Sequence, residues 1–124
     1  MIEHLLGRKF DRVHFNCATL TIDAWEILTG DRLEVDGSTV LTKIGEANFI
    51  FAKNFALLED KGILRPVDRL QEPCIVGFFP PFREVHVGVW IHNKLLHVAW
   101  RGTSSLTDIP TDLAPYAKFW VKKT

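Results

Sequence analysis

The stretch EVHVGVWIHNKLLHVAW, residues 84–100, constrains the fold more than any other part of the chain. VHVGVWI and LLHVAWR are rich in β-branched and aromatic residues, and only a very short connection at His92, Asn93 and Lys94 joins them. Two such runs with so short a link read as an antiparallel hairpin. If the two-residue turn is His92-Asn93, Ile91 pairs with Lys94 and His97 falls opposite Gly88. His86 is then the diagonal neighbour of His97 on one face, about 7 Å away between backbones. A turn at Asn93-Lys94 would set His97 opposite Trp90 and increase its separation from His86. In both registers Val87, Val89 and Ile91 point to the other face, towards a core.

The rest of the chain must supply what packs on that hairpin. After a short lead-in over residues 1–13, residues 17–29 carry Leu20, Ala24, Trp25 and Leu28 on one helical face. Asn16 is a good N-cap and Gly30 a good stop. A second amphipathic helix is expected over about residues 46–60, with Phe49, Ile50, Phe55, Leu57 and Leu58 as its apolar residues and Gly62 as its stop. CIVGFF reads as a buried strand, PPFRE as a turn, SSLTDIPTDLAP as a loop and YAKFWVK as a last strand. Helices first and antiparallel strands after predict an α+β fold, with N-terminal helices packed on an antiparallel sheet of about five strands. A length of 124 residues fits one domain, 1–124.

Several function classes are disfavoured at once. Formal net charge is zero, with both signs interspersed, so no nucleic-acid or anionic-membrane surface is expected. The most apolar run, CIVGFFPPF, is too short to span a bilayer and is broken by prolines. MIEHLLGRKFDRVHF has no long apolar run and no small-residue cleavage site, so no signal peptide is expected and the chain reads as cytoplasmic as synthesised. Two cysteines, Cys17 and Cys74, are too few for a disulfide framework. With no H-E-x-x-H and no paired-cysteine spacing, neither a metal nor another cofactor is expected.

Cys17 opens the first helix, in HFNCATLTIDAWEILTG. A helix N-terminus presents free N–H groups and the positive end of the macrodipole, and both favour a thiolate. The same groups can hold the oxyanion of a tetrahedral intermediate. Taken alone, Cys17 also suits plain packing in a helix cap, and two strand histidines suit half-buried polar positions. Cys17, His86 and His97 together supply a nucleophile, a base and a group to orient the base. Cys74 lies in an apolar strand, where packing is the simpler role. His4 and His92 fall at a terminus and a hairpin tip.

This order and spacing resemble the NlpC/P60 cysteine peptidases of the papain-like superfamily. The family pattern at the nucleophile is close to D-C-S-G followed by two hydrophobic residues, against NCATLTIDAW here. The second pattern is close to H-V-G-I-Y-hydrophobic-G-N-G-x-hydrophobic-hydrophobic-H-A, against HVGVWIHNKLLHVA here, a hairpin one residue shorter. The stretch FNCATLTIDAWEILTG is most similar to compact phage or prophage members, often encoded near tail genes. The resemblance implies a papain-like NlpC/P60 fold, Cys17 as nucleophile, His86 as general base and then acid, and His97 as the orienting residue. It implies cleavage of an amide, a peptidoglycan peptide bond, with phage tail proteins as possible partners and a virion or tail location. Asn16 stands where the family has an acidic residue, and Ala18-Thr19 where it has Ser-Gly. The family's upstream tyrosine is missing, since Tyr116 is the only tyrosine. The backbone N–H of Cys17 and the side chain of His14 are the expected oxyanion donors in its place. Two alternatives stand beside the hydrolase. One is a tail or assembly component that keeps the fold without catalysis. The other is a lipid-handling acyltransferase relative, disfavoured because in those permuted proteins the histidine precedes the cysteine.

Overall fold

The computed structural model describes residues 2–11, 14–34, 53–81, 84–99 and 101–123. Two helices, α1 (Cys17–Thr29) and α2 (residues 53–60), pack on an antiparallel sheet. Its strands are β1 (Leu64–Val67), β2 (Cys74–Phe78), β3 (His86–Ile91), β4 (Lys94–His97), β5 (Ser105–Thr107) and β6 (Ala117–Lys122). They form one six-stranded sheet in the order β1-β6-β2-β3-β4-β5. The α+β class is as expected, and the sheet has six strands rather than about five. Both edge strands, β1 and β5, escaped the sequence reading. β1 contains Pro66, and β5 is three residues inside the segment read as a loop.

The ends of α1 follow from single side chains. Asn16 Oδ1 accepts from the N–H groups of Ala18 and Thr19, both at 3.0 Å. Thr19 Oγ1 accepts the Asn16 N–H at 2.9 Å, completing a capping box. At the other end Gly30 takes φ 81°, and its N–H donates to Glu26 O. That left-handed conformation is cheap only for glycine. Between the caps, Leu20, Ala24 and Trp25 are buried against the sheet. The described part of α2 ends similarly, with Gly62 at φ 70° and its N–H bonded to Glu59 O. Phe55 and Leu58 are its buried residues, while Leu57 is exposed. Phe55 stacks on Trp120 with ring centroids 4.1 Å apart, which joins α2 to β6. Phe49 and Ile50 lie outside the described residues.

Strand alternation gives the sheet two apolar faces. Val87, Val89 and Leu96 join α1 and α2 in the main core with Ile75, Leu64 and Trp120. Cys74, Val76, Phe78 and Leu95 form a second cluster, against which Trp90, Ile109, Leu113 and Phe119 pack. The N-terminal lead-in is tied down by Ser104, whose N–H donates to Arg8 O and whose hydroxyl bridges the Arg8 N–H and Leu5 O.

The β3–β4 hairpin takes the register that brings its histidines closest. Ile91 pairs with Lys94, Trp90 with Leu95 and Val89 with Leu96. His92 and Asn93 have φ of 55° and 59°, the left-handed pair that a two-residue turn of this hand requires. Continuing the register puts Gly88 opposite His97, and the glycine is there for room. A Cβ on Gly88 would lie 2.7 Å from Leu96 O and 3.2 Å from His97 Cβ. A backbone oxygen cannot step aside without moving its strand. Gly88→Ala is therefore expected to cost about 1–3 kcal/mol, as overpacking does. A urea titration that leaves the unfolding midpoint unchanged would show that β4 yields freely.

Candidate active site

Three of the sequence-predicted residues converge on the start of β3, and one does not. His86 Nε2 lies 2.8 Å from His97 Nδ1, the two rings at 71° with centroids 5.1 Å apart. Phe78, opposite His86 on β2, stacks on its ring with centroids 6.0 Å apart. On the far side of His97, Nε2 lies 2.8 Å from Thr107 Oγ1. The Thr107 hydroxyl in turn donates to Asp108 O at 2.8 Å. The two imidazoles thus form the first part of a chain across three strands and the residue that follows β5.

Cys17 reaches the same end of β3 from the helix side. By parity the histidine rings lie on the sheet face opposite Val87 and Val89. Thiol and imidazole can therefore meet only at the end of the strand. The ladder explains what the strand offers at that point. In a two-residue hairpin the Ile91–Lys94 and Val89–Leu96 pairs exchange hydrogen bonds, so the next N–H facing β4 is that of Val87. Pairing with β4 has stopped by then. The Val87 N–H instead lies against the Cys17 thiol and favours its anion. No hydrogen bond joins Cys17 Sγ to the His86 ring among the described residues. Such contacts are often loose before substrate arrives.

The thiol does not titrate as its place on the helix suggests. Burial raises the Cys17 pKa from 9.0 to about 11, and Glu84 adds to the rise, while the N–H groups of Val87, Ala18 and Cys17 pull it down without prevailing. The sulfur shares the helix end with Asn16, whose Oδ1 accepts from the N–H groups of Ala18 and Thr19. Asn16 is itself fully buried, and an amide there caps the helix without adding a negative charge beside the sulfur. The imidazoles are displaced in the complementary direction. Burial, and then the neighbouring His97, lower the His86 pKa from 6.5 to about 4. Burial also lowers that of His97. At neutral pH the resting site holds a neutral thiol and two neutral rings.

His14 is the residue that stays apart. Its side chain is 83% exposed, and its Nδ1 is 3.5 Å from Asp11 Oδ2. Its backbone N–H also donates to Asp11. Its ring faces Asp11 and solvent. The Cys17 N–H remains as the donor named from sequence. Cys74 is a free, fully buried thiol in the second apolar cluster, as its strand predicted. His92 is exposed at the hairpin tip. Two surface depressions flank β1, lined by residues such as Arg65, Val67 and Asp68, and neither includes Cys17, His86 or His97. Two participants went unnoticed in the sequence. The Val87 N–H leaves no side-chain signal, and Thr107 sits in a strand too short to show a period.

No helix among the described residues is long and apolar enough to cross a membrane. No family model, curated protein or solved structure matches this chain.

Proposed function

We propose that the chain is a cysteine hydrolase of NlpC/P60 type that cleaves an amide, a peptide bond of peptidoglycan, through Cys17, His86 and His97. The observation that carries this proposal is the 2.8 Å contact between His86 Nε2 and His97 Nδ1, formed where the thiol approaches β3. Because thiol and imidazole are neutral at rest, proton transfer accompanies attack and does not precede it. Cys17 Sγ bonds to the amide carbonyl carbon as its proton passes to His86. The C–N bond then breaks, and His86 returns the proton to the leaving amine. Water next attacks the thioester and gives a proton to His86, which hands it back to sulfur as the acid product leaves. His97 steadies the transient imidazolium through a hydrogen bond that strengthens when one partner is charged. The Cys17 N–H is one donor for the oxyanion.

Thiol labelling tests the coupling of sulfur and base. With iodoacetamide at pH 7, followed by mass spectrometry of the folded protein, Cys17 is expected to react faster than Cys74. It should lose about 10²-fold or more in rate in His86→Ala, the lower end of what a positioned base contributes. Equal rates for Cys17 with and without His86 would remove the base from the mechanism. Digestion of purified peptidoglycan, with Cys17→Ala as control, would identify the bond cleaved.

A second role, a phage tail or assembly component that keeps a papain-like fold without catalysis, draws support from one specific observation. Cys17 is partly buried with its pKa raised to about 11, and among the described residues no hydrogen bond joins its sulfur to the His86 ring. Its signature would be labelling of Cys17 as slow as that of Cys74, together with no release of peptidoglycan fragments.

A further inference from the structure

We propose that Thr107 is a positioning residue that fixes the tautomers of both histidines, and so decides which nitrogen of His86 is the base. This rests on His86 having the catalytic role given above. The chain of contacts ends on a backbone carbonyl, Asp108 O, which can only accept. The single hydrogen of the Thr107 hydroxyl is therefore committed to that carbonyl, and Thr107 Oγ1 can only accept from His97 Nε2. His97 must then carry its proton on Nε2 and present a bare Nδ1. That bare Nδ1 accepts from His86 Nε2–H. His86 is left with Nδ1 as its one unprotonated nitrogen. Reversing one link alone would put a donor against a donor, and reversing all of them would give up the bond from the Thr107 hydroxyl to Asp108 O.

The placement of Thr107 is a property of the edge strand. β5 pairs with β4 through Leu95–Thr107, Leu96–Leu106 and His97–Ser105. Thr107 is thus the diagonal neighbour of His97 on the face that carries the histidines, where side chains reach one another. Lys94 Nζ pairs with the Asp108 carboxylate at 2.5 Å, which fixes the end of β5 beside the hairpin.

The test reads the tautomers directly, in the full-length protein labelled with nitrogen-15 at histidine. Long-range nitrogen–proton correlation spectra at pH 7 distinguish an imidazole protonated at Nε2 from one protonated at Nδ1. Wild type is expected to show the Nε2–H form at both His86 and His97. Thr107→Val, of the same shape but without an acceptor, should move both rings towards Nδ1–H. Thr107→Ser should restore the wild-type pattern. Cys17 labelling should fall in Thr107→Val by about 10- to 100-fold, the cost typical of losing a partner that orients a histidine, and recover in Thr107→Ser. A different wild-type tautomer, or the same tautomers in Thr107→Val, would overturn the proposal. If the rings shift as expected but the wild type neither labels selectively at Cys17 nor hydrolyses peptidoglycan, the role of Thr107 stands and the hydrolase fails.

Discussion

His86→Ala is expected to abolish hydrolysis, with a loss of about 10²–10⁴-fold, the range for a positioned general base. His97→Gln should keep part of the activity. The asymmetry follows from what each ring does. His86 takes a proton and returns it twice per turnover. The pair at rest is neutral, with the thiol near pKa 11 and the imidazole near 4, so there is no preformed thiolate to sustain attack without the base. His97 never changes protonation. It accepts the His86 Nε2–H, and a glutamine carbonyl can accept the same hydrogen while its amide reaches for Thr107. His97→Leu offers no acceptor and should be far worse than glutamine. Peptidoglycan fragments released per unit time, or Cys17 alkylation if turnover is too slow, would measure all three variants. His97→Gln as inactive as His86→Ala, or a fully active His86→Ala, would mean that these roles are wrongly assigned.

The part of this arrangement that was legible in sequence is the part governed by local rules. Strand parity and a two-residue turn put His86 and His97 on one face, and residues 92 and 93 adopt the left-handed turn that makes the register unique. Asn16 and Gly30 bounded α1 because caps are single-residue chemistry. The misses have different causes. β1 and β5 are held by pairing with distant strands, so a Pro66 or a three-residue length cannot disqualify them locally. The thiol's ionisation depends on how much protein covers it, and burial outweighs the N–H groups of Val87, Ala18 and Cys17 that favour its anion. His14 is three residues from Cys17 in the chain, yet the partner its ring takes is Asp11, three residues to the other side.

The half-buried, neutral site should also shape stability on both sides of neutrality. His86 has an ordinary pKa of 6.5 and a folded value of about 4. Below pH 6.5 the unfolded chain binds a proton that the folded chain refuses, so stability falls as pH drops from 6.5 towards 4. At 1.36 kcal/mol per unit, His86 alone accounts for about 3 kcal/mol, and His97 acts in the same direction. Cys17 works at the other end with the opposite sign. Its folded pKa of about 11 lies above its ordinary 9.0, so its contribution is complete below pH 9 and is lost as pH rises towards 11. The same conversion gives about 3 kcal/mol there, a large share of the ~5–15 kcal/mol that holds a typical domain folded. Other groups titrate in both windows, Cys74 among them, so the informative quantity is a difference between variants. Urea unfolding of wild type and Cys17→Ser should give free energies whose difference is constant from pH 7 to 8.5 and then shifts by up to about 3 kcal/mol by pH 11, the wild type losing more. Wild type and His86→Ala should run parallel above pH 7 and converge or cross as pH falls to 4. Curves that stay parallel across both windows would mean that the thiol and the imidazole are wetter than their burial implies. The resting site would then no longer be the neutral pair on which the order of proton transfer depends.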